Sequence, residues 1–170
     1  MPNHCENWVR ITGSAESIQA IQAKPFSLPE WIPKPKEIGG DSSDWILENW
    51  GTRWIAKHCA TEDDWYIELK DVTCQGEEGT LETYFESAWA PPIPFYNFLK
   101  KTFPDLKIEY EYHEWGIGFC GYGIGGEEPF HYSYHDNLSD LPTIRAERVW
   151  KIDIWNPHEE LGQDRVPDLR

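Results

Sequence analysis

Apolar and polar residues alternate along Trp8-Val9-Arg10-Ile11-Thr12 and stop at Gly13, the period-two pattern of a half-buried strand. Ser14 then stands where a helix N-cap is favoured. Behind it, Ile18 and Ile21 fall on one helical face, so the pattern predicts a capped helix over residues 15–21. From Pro25 to Pro35 prolines recur among Phe26, Leu28, Trp31 and Ile32, which predicts a pinned covering loop rather than a helix or a central strand. Residues 37–43, with Gly39-Gly40-Asp41, read as an exposed turn. The stretch Asp44–His58 is apolar around Trp45, Trp50 and Trp54 but follows no clear period.

Alternation returns at Trp65–Val72 and again at Leu81–Trp89, with Gly76 and Gly79 bracketing a turn, so the two runs predict a hairpin. Pro91-Pro92-Ile93-Pro94 ends the second run. Phe95, Phe98, Leu99 and Phe103 then recur at helical spacing, with Lys100-Lys101 near the end where cations suit the helix dipole, and Pro104 stops the element. Leu106–Tyr112 alternates cleanly, Gly116–Gly126 reads as a glycine-rich aromatic strand, and Arg148–Trp155 as a last strand. Two helices set between strand pairs match the split βαβ plan of an α+β, ferredoxin-like domain, an antiparallel sheet with both helices on one face. The expected domain is 1–156, with an insertion at about 25–58, a C-terminal extension, and a polar tail over 157–170.

Several boxes carry a family resemblance. Met1-Pro2-Asn3-His4-Cys5-Glu6-Asn7 followed by Val9, Ile11, Thr12 and Gly13 resembles the N-terminal signature of the YubB-type ferredoxin-like proteins. Trp50-Gly51-Thr52-Arg53-Trp54, Phe85–Pro94, Pro104-Asp105-Leu106 and Gly118-Phe119-Cys120-Gly121 resemble later boxes of that family, in order and across residues 1–126. His4 and Arg53 stand where the family usually has Trp and Lys. The resemblance implies a ferredoxin-like fold and a phage or plasmid origin, and it implies no mechanism.

Charge narrows the function more than any motif. Fifteen Lys and Arg face 30 Asp and Glu, a net charge of -15. Such a field repels nucleic acid and anionic membranes, and no basic stripe accompanies the aromatics. The acids concentrate in two runs. Between His58 and Leu99 the only base is Lys70; between Ile108 and Asp140 there is none. Glu62, Asp63, Asp64, Glu109, Glu111 and Glu114 are therefore the candidate acidic binding residues. The aromatic share of 15%, with ten Trp, leaves more large rings than a core of this size needs. No apolar run reaches membrane-spanning length and no signal-peptide pattern opens the chain, so a cytoplasmic location with reduced thiols is expected.

Residues with chemistry in them are few. Cys5, Cys59, Cys74 and Cys120 form no CxxC, and the adjacent pairs His4-Cys5 and His58-Cys59 would point to opposite sides of a strand, so no metal and no cofactor are expected. His131, Ser133 and His135 would share a face if extended, with Asp136 next to them. A polar loop is the simpler reading of that cluster. The glycines of residues 116–126 precede no helix, so they suit close packing of aromatics rather than a phosphate loop. Trp50, Arg53 and Trp54 offer either a buried turn or an aromatic pocket with a cation.

No catalytic residue stands out. The expected function is an acidic phage or plasmid accessory protein that binds a basic protein of the host or of a rival element. Its DNA-like charge would inhibit a defence or nucleic-acid-binding system. The alternative is a small-ligand binder using the aromatic pocket near Trp50; a hydrolase or metal enzyme ranks below both.

Overall fold

The first strand shows how alternation in sequence becomes two faces. The computed structural model describes residues 3–39, 42–53, 55, 56, 67, 69–114, 116 and 118–133, all within the compact unit Met1–His135. In β1 (His4–Ser14) Cys5, Asn7, Val9 and Ile11 are buried while Arg10 between them is exposed. Its end is capped as predicted: Ser14 Oγ accepts from the Ser17 amide at 3.2 Å, opening α1 (Ala15–Gln22), whose Ile18 and Ile21 are buried.

Two departures follow. The proline-rich segment was expected to be all loop, yet it holds a single helical turn, α2 (Leu28–Trp31). Pro29 sits in the first turn, where its missing N–H is not needed, and Leu28 and Trp31 are buried. The segment without a clear period forms α3 (Ser43–Trp50), ended by Gly51 in the left-handed conformation at φ 79°. Only Trp50 of this helix is fully buried, so no apolar stripe marked it.

Two-residue β2 (Ile55–Ala56) leads to the hairpin of β3 (Asp71–Gln75) and β4 (Glu78–Ala88). The hairpin is where it was expected, but its first strand is displaced toward the turn: of the described residues within 65–72, only Asp71 and Val72 lie in it. Ile67 is spent on the backbone of Phe26 instead, its amide donating to that carbonyl at 2.8 Å. α4 (Ile93–Thr102), β5 (Lys107–Glu114) and β6 (Phe119–Ile124) match their predicted positions. β7 (Phe130–Ser133) takes up residues expected as loop. The strand expected at Arg148–Trp155 and the tail lie outside the described residues.

The sheet runs β2-β4-β1-β5-β6-β7, with β3 also pairing β4, and every described pairing is antiparallel. Within it the order β3-β4-β1-β5 is the four-stranded ferredoxin-like core, and β6 and β7 widen it. β2 and β3 share one edge of β4, at Glu86–Ser87 and at Glu78–Glu82. The helices gather on one face, where Val9, Ile11, Leu81, Phe85, Ile108, Tyr110 and Tyr112 meet Ile18, Ile21, Phe95, Tyr96 and Leu99 in one core. α2 and α3 pack beside α4 on this side, Trp31 against Phe103, Phe26 against Phe95, and α3 along α4. No described helix is long and apolar enough to cross a membrane.

The glycine-rich strand has a geometric cause. A Cβ on Gly121 would meet the hydroxyl oxygen of Tyr112, and one on Gly123 that of Tyr110, each far inside van der Waals contact. Two tyrosines of β5 thus lie across β6, and the strand carries glycine where they cross. A turn and β7 follow, not a helix, so nothing here resembles a phosphate loop.

Candidate functional site

The face opposite the helices carries the charge. Cross-strand register sets Phe130, Tyr122, Glu111, Trp8 and Tyr84 in one row across β7, β6, β5, β1 and β4. Trp8 and Tyr84 lie 5.0 Å apart and Tyr122 and Phe130 5.5 Å, so Glu111 stands between two aromatic pairs. Glu109, Arg10, Glu82 and Asp71 form the next row, with Arg10 Nε 2.9 Å from Glu82 and Lys107 Nζ 3.0 Å from Glu109. On the other side Cys120, His113, Glu6 and Glu86 line up, and His4 Nδ1 is 2.7 Å from Glu86.

This field is felt by its neighbours. The Tyr84 hydroxyl is pushed well above its ordinary range, first by burial and then by the carboxylates of Glu6 and Glu86. Lys70 holds its ammonium 5.4 Å over the Tyr84 ring, so the face already takes a cation by aromatic contact.

Glu109 and Glu111 belong to this face. Glu114 does not, and the expectation of an acidic surface residue there is corrected. Alternation along β5 turns it to the helix side with Tyr110 and Tyr112, where it is buried and its Oε1 accepts from the Gly116 amide at 2.9 Å. Trp50 is a buried plug: its Nε1 donates to the Ile32 carbonyl at 2.9 Å and its ring meets Trp45 edge-on at 5.5 Å. Arg53 is exposed. Trp54, Glu62, Asp63, Asp64, His135 and Asp136 lie outside the described residues. His131 sits exposed on β7, on the helix side, with Nδ1 3.1 Å from the Tyr112 hydroxyl and its ring 5.0 Å from Phe119.

A nucleophilic Cys5 finds no support. Burial drives its thiol far above the ordinary range, the reverse of an activated thiolate. Among the described residues no group of three or more His, Cys, Asp or Glu is placed to hold a metal.

Sequence reasoning missed a junction that draws three boxes together. Asn7, fully buried, donates from Nδ2 to the Cys5 carbonyl and to Ser87 Oγ, both at 2.8 Å. Ser87 Oγ donates onward to the Ala90 carbonyl at 2.7 Å. Thr52 Oγ1 holds Ala88 from both sides, accepting from its amide at 2.9 Å and donating to its carbonyl at 3.0 Å. Gly51 lies so close to Pro92, Ile93 and Pro94 that any side chain would collide. The available signal was Asn7 itself, a polar residue on the apolar beat of an alternating strand.

The chain is thus an α+β protein of ferredoxin-like fold whose sheet presents an acidic, aromatic face. Residues 70–140, from the start of β3 past β7, match the family described as the ferredoxin-like domain in Api92-like protein, over less than half of the chain. No curated protein and no solved structure matches it.

Proposed function

We propose that the chain is a protein-interaction module that receives a basic protein on the sheet face carrying Trp8, Tyr84, Glu109, Glu111 and Tyr122. The row in which Glu111 stands between two aromatic pairs carries this reading. Carboxylates give attraction and orientation, while rings give area and cation–π contact. A net charge of -15 opposes nucleic acid as ligand and favours a protein that itself binds nucleic acid. On the resemblance of the sequence boxes, we assign it to the accessory proteins of phages and plasmids, acting in the host cytoplasm against a defence or nucleic-acid-binding system. The small-ligand alternative loses its main support, because Trp50 is consumed in the core.

The test is titration of a synthetic arginine-rich peptide against the protein at increasing NaCl. Glu6→Gln with Glu111→Gln is compared with Glu30→Gln with Glu48→Gln, which removes the same charge from exposed positions on α2 and α3. The face variant is expected to bind about tenfold more weakly at low salt, from about 0.2–1 kcal/mol for each of the two carboxylates removed. The control stays within about twofold. Equal loss in both variants shows binding to net charge alone and overturns the assignment to this face.

A further inference from the structure

The described residues hold one non-glycine residue with positive φ, Trp89 at 68°. It is the centre of a γ-turn closed by the Ala90 amide donating to the Ala88 carbonyl at 2.8 Å, a strained form seldom adopted by a residue with a side chain. Glycine would take this conformation without cost. The turn is nevertheless held from every side. Thr52 Oγ1 grips Ala88, Ser87 Oγ reaches the Ala90 carbonyl, the Trp89 amide donates to the Asn3 carbonyl at 3.0 Å, and Pro91-Pro92 stiffen the exit.

All this order fixes the backbone beneath an indole that is not in the core. Trp89 is 45% exposed. A tryptophan kept where the backbone favours glycine, with nearly half its surface outside, is poorly explained by packing. A backbone ordered in advance is what an interface anchor requires, because less loop entropy is lost when a partner arrives. Its position gives the chemistry. Trp89 follows β4 directly, three residues beyond Glu86, at the end of the sheet where Glu6, Glu86 and His4 lie.

We infer that Trp89 is the aromatic anchor for an arginine of the basic partner, its guanidinium stacking on the indole beside the Glu86 end of the acidic face. Arginine is preferred over lysine because the planar guanidinium stacks on the ring while its N–H groups remain available to carboxylates. The inference rests on the proposed function, whose failure would be read separately in the carboxylate variants.

The experiment measures binding of oligo-arginine and oligo-lysine peptides of equal length to the wild type and to Trp89→Gly, Trp89→Ala and Trp89→Tyr, with thermal unfolding of each. Trp89→Gly relieves the strained φ as it removes the ring, so it is expected to melt above Trp89→Ala while binding oligo-arginine at least about tenfold more weakly than the wild type. Trp89→Tyr is expected to restore most of the binding. The wild type is expected to favour oligo-arginine over oligo-lysine, and that preference to vanish in Trp89→Gly. A folded Trp89→Gly that binds oligo-arginine within about twofold of the wild type, or keeps the preference, overturns the inference. If the carboxylate variants weaken binding in the same assay, the acidic-face reading survives and only the anchor is lost.

Discussion

Tyr110 is fully inside the core, and its hydroxyl has no hydrogen-bond partner among the described residues. Burial, followed by the carboxylates of Glu128 and Glu127, pushes its pKa up to about 12. A phenol whose folded pKa is raised favours the protonated fold. Its contribution is complete below the unfolded value of about 10 and is lost as pH rises through the folded value. Stability should therefore fall between about pH 10 and 12, and Tyr110→Phe should flatten that fall. Because the hydroxyl makes no bond to a described residue, the substitution should cost less than about 1 kcal/mol at neutral pH. Denaturant unfolding of both proteins at pH 7 and pH 11 checks this, and an unchanged alkaline loss in Tyr110→Phe would show that Tyr110 is not its source. None of this was legible in the sequence, which placed Tyr110 on the apolar side of a strand but could not show that the ring crosses Gly123.

At the scale of elements, β5 and β6 are matched by that crossing. Gly121→Ala would place a methyl against the Tyr112 hydroxyl and the Phe130 carbonyl oxygen, and both sides cannot yield together. It is expected to destabilise by about 1–3 kcal/mol, as overpacking does. Gly39→Ala meets nothing within 4 Å and should stay within about 0.5 kcal/mol. Chemical denaturation separates the two, and equal stabilities would remove the packing explanation for the glycines. The elements themselves were largely legible, β1, α1, β4, α4, β5 and β6 among them, because each buries one side and so writes its period into the chain. α3 was not, since it buries Trp50 alone and leaves Leu47 and Glu48 exposed. β3 was displaced because Ile67 joins the core through the Phe26 backbone rather than through the hairpin.

For the whole molecule, a net charge of -15 sets self-repulsion against compaction. Screening lengths shrink from about 30 Å at 0.01 M salt to about 8 Å at 0.15 M, so added NaCl should raise the melting temperature while it weakens capture of a basic peptide. Calorimetry and binding over one salt series should move in opposite directions. A melting temperature that falls with salt would indicate that ion pairs such as Arg10–Glu82 outweigh the repulsion.

The sequence alone determined the acidity and the ferredoxin-like order of elements, since charge is additive and burial periods are local. It also pointed to Glu109 and Glu111 through the base-free acidic run between Ile108 and Asp140, though the same run wrongly included the buried Glu114. Tertiary structure decided what alternation cannot. It set Glu111 between aromatic rings from other strands, and closed Asn7, Ser87 and Thr52 around the strained turn at Trp89. Those arrangements depend on register between strands far apart in the chain and on a γ-turn without a sequence period. They are written in contacts, not in the order of residues.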